Sequence, residues 1–188
     1  MVVAPQNSGG SWSPNKIAKI LDWIEANHNI DTTRIYVIGM SLGGYGTLDF
    51  AGTYPERIAA AMALCGGSTL KDFSGLGNVP LWIMHGTADR AVPVSQSKTV
   101  VKAMQNSGHD KLLRYDWLPG ASHGDLARIL YLKQTYDWLF AHTTIDNPRT
   151  IDKNIPIAMP DLRNAYDYLQ PEETRFDIVD RIKPYSEK

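Results

Sequence analysis

Cysteine is nearly absent. Cys65 is the only one in 188 residues, so no disulfide can close within the chain. That leaves the compartment open, because a secreted protein can do without disulfides. Long apolar runs are missing too: none approaches the roughly 18 residues that cross a bilayer, so no membrane span is expected. Charge imbalance is also lacking. A formal net charge of −1 gives no electrostatic reason to expect nucleic acid or an anionic membrane as partner. The opening stretch, Met1 to Pro5, has neither a basic region nor a long apolar core, so it does not read as a signal peptide. It reads instead as the end of a buried strand, Val2 to Ala4, closed by Pro5. The expectation is a fragment or a shortened form, cytoplasmic or secreted as part of a longer precursor. Sequence repeats and low-complexity segments are absent as well.

What remains is an ordinary globular composition. With 43% hydrophobic and 21% charged residues, the chain is long enough for one domain with a sizeable core. Ser13-Pro14 starts a helix, with Ile17, Ile20, Leu21 and Ile24 on one face and an end near Asn27 to Asn29. Arg34 to Ile38 is β-branched and aromatic, a buried strand. A helix is expected from about Leu42 to Thr53, stopped by Tyr54-Pro55. Apolar runs at Ala59 to Cys65, Leu81 to Met84 and Leu112 to Leu118 read as further strands, with a helix over Ser95 to Asn106. Leu126 to Ala141 reads as one helix, and Asp161 to Leu169 as a short one after Pro160.

Strands without polar alternation, separated by helices, predict a mostly parallel sheet covered on both faces, a three-layer α/β/α sandwich. Residues 1–142 are expected to form this domain. Residues 143–188, rich in proline and charge, are expected to be an appendage packed on it.

The chemistry concentrates where the first clear strand meets its helix. Gly39-Met40-Ser41-Leu42-Gly43 is a G-x-S-x-G pattern, common by chance but here set between a buried strand and a helix. A serine on so sharp a turn is held in strained backbone with its Oγ pushed clear of the sheet. Gly39 and Gly43 are expected to lack side chains so that strand and helix can approach. The helix amino end behind Ser41 offers partial positive charge to an oxyanion.

A nucleophilic serine needs a base, and the base an orienting acid. Asp89 lies in a short loop past the strand Leu81 to Met84, and His123 just past Leu113 to Leu118. Both therefore fall at strand carboxyl ends, where parallel sheets place their ligands. Asp72, in the loop after the preceding strand, Asp116, within a strand, and Asp125, two residues from His123, are rival acids; Asp89 is favoured. His85 is expected to be hydrogen-bonded and structural, close to Asp89. His28 and His142 sit at helix ends, where a cation is favourable, and His109 sits in a turn after Gly108.

At these residues the chain resembles the α/β-hydrolase superfamily. It is most similar to the group of predicted esterases and peptidases with polyhydroxybutyrate-depolymerase-like and feruloyl-esterase-like members. Four stretches carry the likeness, which covers about residues 1–142: Val3 to Gln6, Asp31 to Gly44, His85 to Asp89, and Pro119 to His123. The resemblance implies a carboxylic ester hydrolase working through an acyl-enzyme, with Ser41 as nucleophile, His123 as base, Asp89 as acid and the Leu42 N–H as an oxyanion donor. It implies no metal and no organic cofactor. Small-molecule or polysaccharide-linked acetyl or feruloyl esters are the substrates it suggests.

One departure stands out. The family's second oxyanion donor comes from a His-Gly loop after an earlier strand, which would lie before Met1. On that topology three strands are lacking, and the strand leading to Ser41 has an open neighbour position that invites pairing with another copy. The loop from Gln6 to Ser11 is the candidate substitute donor. Gln6 and Trp12 are the candidate substrate contacts, with Tyr45 and Trp82 more readily read as packing. The competing readings are a serine peptidase of oligopeptidase type and a catalytically weak remnant serving binding or assembly. The short chain has no room for a large gating domain, which favours the esterase.

Overall fold

The computed structural model describes residues 1–167. Its centre is a four-stranded parallel sheet in the order β1 (Tyr36–Met40), β2 (Ala60–Leu64), β3 (Leu81–Gly86) and β4 (Leu113–Leu118). Tyr36 pairs with Ala60, Ala61 with Leu81, and Leu81 with Leu113, so the strands stay in step across the sheet. β2 and β3 are buried along their whole length, which is why their sequences are continuous apolar runs. The helices are α1 (Pro14–Asn27), α2 (Leu42–Thr53), α3 (Ser95–Asn106), α4 (Lys133–Phe140) and α5 (Met159–Arg163).

The side-chain alternation of the strands divides the core into two layers. Ala61, Ala63, Leu81, Ile83 and Leu113 face one side and pack with Leu21 of α1, Leu48 and Phe50 of α2, and Val100 and Met104 of α3. Ala60, Met62, Leu64, Trp82 and Met84 face the other side. There they meet Leu126 and Ile129 of a 3-10 segment (Gly124–Tyr131), Trp138 and Leu139 of α4, and Leu162 of α5. The result is the expected three-layer α/β/α arrangement.

Four expectations about elements change. The strand expected buried over Arg34 to Ile38 runs instead from Tyr36 to Met40 and is only half-buried, with Ile38 36% exposed, because nothing among the described residues pairs with its outer edge. Val2 to Ala4 is not a strand: no ladder partner reaches it, and Val2 is 95% exposed. Leu126 to Ala141 is not one helix. It divides into the 3-10 segment and α4 at Leu132, whose extended backbone (φ −88°, ψ 120°) carries its buried side chain into the core. At the tail, α5 begins two residues ahead of the expected helix, with Pro160 in its first turn, and ends at Arg163. The last two residues of the expected span lie outside the described ones.

Residues 143–165 run across the sheet and are tied to it by polar contacts. The Arg149 guanidinium donates to the carbonyls of Ile58 and Ala59, just before β2, and to Asn78, before β3. Trp138 Nε1 donates to Asp152 O at 3.0 Å. Arg114 stacks 3.7 Å above the Trp82 ring and reaches the Ile155 carbonyl. Leu162 and Ala165 are fully buried in the second core layer. Truncation of so enclosed a leucine costs roughly 2–5 kcal/mol. Leu162→Ala should therefore lower the denaturant midpoint of the whole domain in a single transition. An unfolding free energy within about 0.5 kcal/mol of the parent would show that this segment adds nothing to the core.

Candidate active site

The four strands deliver their carboxyl ends to one rim, and the chemistry-bearing residues follow directly after them. Ser41 comes after β1. Its amide donates to Leu64 O at 2.9 Å, one step beyond the last β1–β2 pair, and its carbonyl accepts from Tyr45 N at 3.1 Å to start α2. Those two bonds force strand to become helix within one residue. Ser41 consequently sits at φ 58°, ψ −121°, a conformation that costs a side-chain-bearing residue free energy and marks functional sites.

The glycines around it divide differently from expectation. A Cβ on Gly39 would collide with the Gly43 carbonyl and come within 2.6 Å of Thr47 Oγ1, so Gly39 is required sterically. A Cβ on Gly43 would meet nothing within 4 Å. It is the Gly43 carbonyl that crowds the strand, not the position of its absent side chain. The next glycine carries the second constraint: a Cβ on Gly44 would lie 2.7 Å from Leu64 O.

Asp89 follows β3. Its side chain is fully enclosed. Oδ1 accepts from Ala91 N at 2.8 Å and Val92 N at 2.9 Å, while Oδ2 lies 2.7 Å from Nδ1 of His123. Burial pushes this carboxyl up, but the bonds from His123, Val92 and Ala91 outweigh it and leave Asp89 below the ordinary carboxylate range. An ionised Asp89 only accepts, so His123 Nδ1 carries the hydrogen, and in the neutral ring Nε2 is the nitrogen with the lone pair. His123 follows β4 and its side chain is about one-quarter exposed. The Asp89 and His123 loops are stitched together: Ala88 N donates to Ala121 O at 3.0 Å, and Gly120 N to Thr87 Oγ1 at 2.9 Å.

The rival acids are occupied elsewhere. Asp72 accepts from Ser74 N and Oγ, and Asp125 from Ser122 N and Oγ. Asp116 accepts from Trp82 Nε1 and Arg114 Nε. Leu42, the first residue of α2, is exposed at the site. Trp12 is half-buried with its side chain packed where a Gly46 Cβ would stand, and Gln6 is exposed. Among the described residues no hydrogen bond brings Gln6 to Ser41 or Leu42.

Two neighbours escaped the sequence reading. Cys65, at the end of β2, has φ 41°, and its thiol lies 3.9 Å from the His123 carbonyl. The side-chain donor atoms of Cys65, Asp89 and His123 lie within 4.8 Å of one another. Burial, reinforced by the Asp89 charge, pushes the Cys65 thiol up to about 12, so it is neutral at pH 7 and no competing nucleophile. Asp49, buried within α2, accepts from Ser68 Oγ, Thr69 N and Thr69 Oγ1 and thereby fixes the loop after β2. A carboxylate in the middle of an apolar helix was the available signal. His142 overturns its expectation. It is 6% exposed, and burial lowers its basicity, so it is not a helix-end cation.

The fold and the site define a class: a parallel sheet with a serine elbow after one strand and a hydrogen-bonded His–Asp pair on the same rim is the α/β-hydrolase arrangement. The model of the dienelactone hydrolase family matches residues 11–131, and the chain belongs to that family. Over 162 residues it is 26% identical to acetylxylan esterase A of Emericella nidulans, covering 81% of this chain and 50% of that protein. A stretch of 51 residues is 43% identical to poly(3-hydroxyalkanoate) depolymerase C of Paucimonas lemoignei, covering 27% of this chain and 12% of that one. The crystal structure of a thermostable esterase superposes with a TM-score of 0.65 at 28% identity, covering 71% of this chain and 41% of that chain. The chain thus spans half or less of the length of these relatives.

Two outcomes follow from the geometry. Gly39→Ala should cost about 1–3 kcal/mol through overpacking, whereas Gly43→Ala should be neutral or stabilising by up to about 1 kcal/mol. Equal losses in chemical denaturation would contradict this division. Below pH 7 the pH dependence has one sign. Burial holds His85 and His142 below the ordinary imidazole value of 6.5, and hydrogen bonds hold Asp89, Asp125 and Asp146 below 3.8. In each case the unfolded chain binds the proton more readily, so the contribution of these groups is fully present at pH 7 and is lost on acidification, first that of the histidines below 6.5 and then that of the carboxylates below 3.8. Tm measured from pH 8 to pH 3.5 should fall in that order; a Tm that rises between pH 7 and pH 5 would contradict it.

Proposed function

We propose that the chain hydrolyses carboxylic esters through an acyl-enzyme formed on Ser41. The observation that carries this reading is the strained Ser41 on the same sheet rim as the 2.7 Å His123–Asp89 bond. His123 Nε2 takes the Ser41 proton as Oγ attacks the ester carbonyl. Asp89 fixes the tautomer and stabilises the imidazolium that forms. The Leu42 N–H, at the amino end of α2, donates to the tetrahedral oxyanion. His123 then returns its proton to the leaving alcohol, and a water activated by the same nitrogen releases the acid. The relatives named as acetylxylan esterase and polyester depolymerase support small acyl esters, including those carried on a polysaccharide, as the substrate class.

A second element of the reading concerns β1. Among the described residues it pairs only with β2, and its other edge is open. A second copy of the chain is the partner proposed for that edge.

The test is hydrolysis of p-nitrophenyl acetate. The parent should turn over, and Ser41→Ala and His123→Ala should each lose at least about 10³-fold in kcat/KM. Parent protein no faster than Ser41→Ala would end the esterase reading and favour the binding remnant. Peptide amides cleaved faster than comparable esters would favour the peptidase.

A further inference from the structure

A second histidine holds the Asp89 loop and touches its carboxylate. His85, the penultimate residue of β3, is fully buried, and both of its ring nitrogens are engaged. Nε2 lies 2.9 Å from Val92 O and 3.3 Å from Asp89 Oδ2, the same oxygen that His123 holds from the other side. Both of those oxygens only accept, so Nε2 carries a hydrogen. Nδ1 lies 2.8 Å from Ser97 Oγ in the first turn of α3, and Ser97 Oγ is itself 2.7 Å from Gly66 O. Ser97 has one hydrogen to share between that carbonyl and the ring. Gly66 is in turn pressed against the backbone behind the nucleophile: a Cβ there would stand 2.6 Å from Gly44 C and 2.9 Å from Tyr45 N. The contacts form one line, from Asp89 through His85 and Ser97 to Gly66 and the first turn of α2.

We infer that His85 is a positioning residue: with Ser97 it fixes the Asp89 carboxylate relative to the backbone behind Ser41, so that Oδ2 meets His123 Nδ1 in register with the nucleophile. This rests on the reading of Asp89 and His123 as acid and base. A residue that merely filled the core would need neither nitrogen. Here Asp89 would retain only His123 on Oδ2 once the ring is gone, and the Val92 carbonyl would lose the donor that holds the acid loop closed. Burial keeps His85 less basic than free imidazole, which fits a neutral ring with its hydrogen on Nε2. The ring touches no reacting atom and acts through Asp89.

The experiment compares the parent with His85→Leu, His85→Gln and Ser97→Ala. A glutamine amide can stand where Nε2 stands, whereas leucine has no donor. Two readouts are needed: kcat and KM on p-nitrophenyl acetate, and the downfield proton resonance of the His123 Nδ1–H, assigned by its loss in His123→Ala. In His85→Leu, kcat should fall about tenfold with KM within twofold, and the resonance should move or broaden. His85→Gln should restore both most of the way, and Ser97→Ala should shift both in the same direction by less. A folded His85→Leu with parental kcat and an unmoved resonance overturns the inference. Should His85→Leu not fold, a Ser97→Ala protein identical to the parent in both readouts overturns it equally. A parent without ester hydrolysis would sink the esterase reading alone, because the resonance still shows whether His85 sets the His123–Asp89 bond.

Discussion

The amide of Ser41 donates to Leu64 O at 2.9 Å, and that bond sets most of the site. It extends the β1–β2 ladder one residue past Met40, so the chain cannot begin to turn until Ser41 itself. Four residues later the Tyr45 amide is already bonded back to Ser41 O. The whole reversal falls on one residue, and the positive φ of Ser41 is the consequence. The close approach of α2 to β1 follows as well, and with it the exclusion of any side chain at Gly39 and Gly44. The strain persists because the hydrogen bond to β2 on one side and the helix on the other over-determine it.

Asp89 and His123 depend on the same sheet through different means. β3 and β4 run parallel from Leu81↔Leu113 to Gly86↔Leu118, so their exits lie side by side. The loops that follow are joined by backbone bonds, Ala88 to Ala121 and Thr87 to Leu118. Asp89 and His123 are therefore held by one rigid unit, and the 2.7 Å bond between them requires no large side-chain ordering once that unit has folded. The carboxylate stays charged while enclosed because donors occupy both oxygens, which compensates the loss of water.

Much of this was legible in the residues. Continuous apolar runs marked β2 and β3, because a parallel strand is buried on both faces. Helix α2 was readable from Leu42 to Thr53, since Pro55 stops it and the elbow starts it. Asp89 and His123 were singled out by position, each a few residues past a strand. Other features were not legible, for identifiable reasons. Val2 to Ala4 has strand composition but no neighbour to pair with, and composition alone does not supply a ladder. The break at Leu132 is a tertiary effect: local periodicity runs through it, while burial of Leu132 turns the backbone. The G-x-S-x-G pattern treats its two glycines alike, yet only Gly39 is excluded from bearing a side chain by its surroundings. Cys65 gave no sequence signal at all, because its place beside Asp89 and His123 comes from strand order, not from spacing.

The central claim is that Ser41 is an activated nucleophile. A fluorophosphonate probe reports on it without any assumption about the natural ester. One covalent adduct per chain is expected by intact mass, mapping to Ser41 and lost in Ser41→Ala. A folded parent protein that stays unlabelled, or that is labelled at another residue, would contradict it.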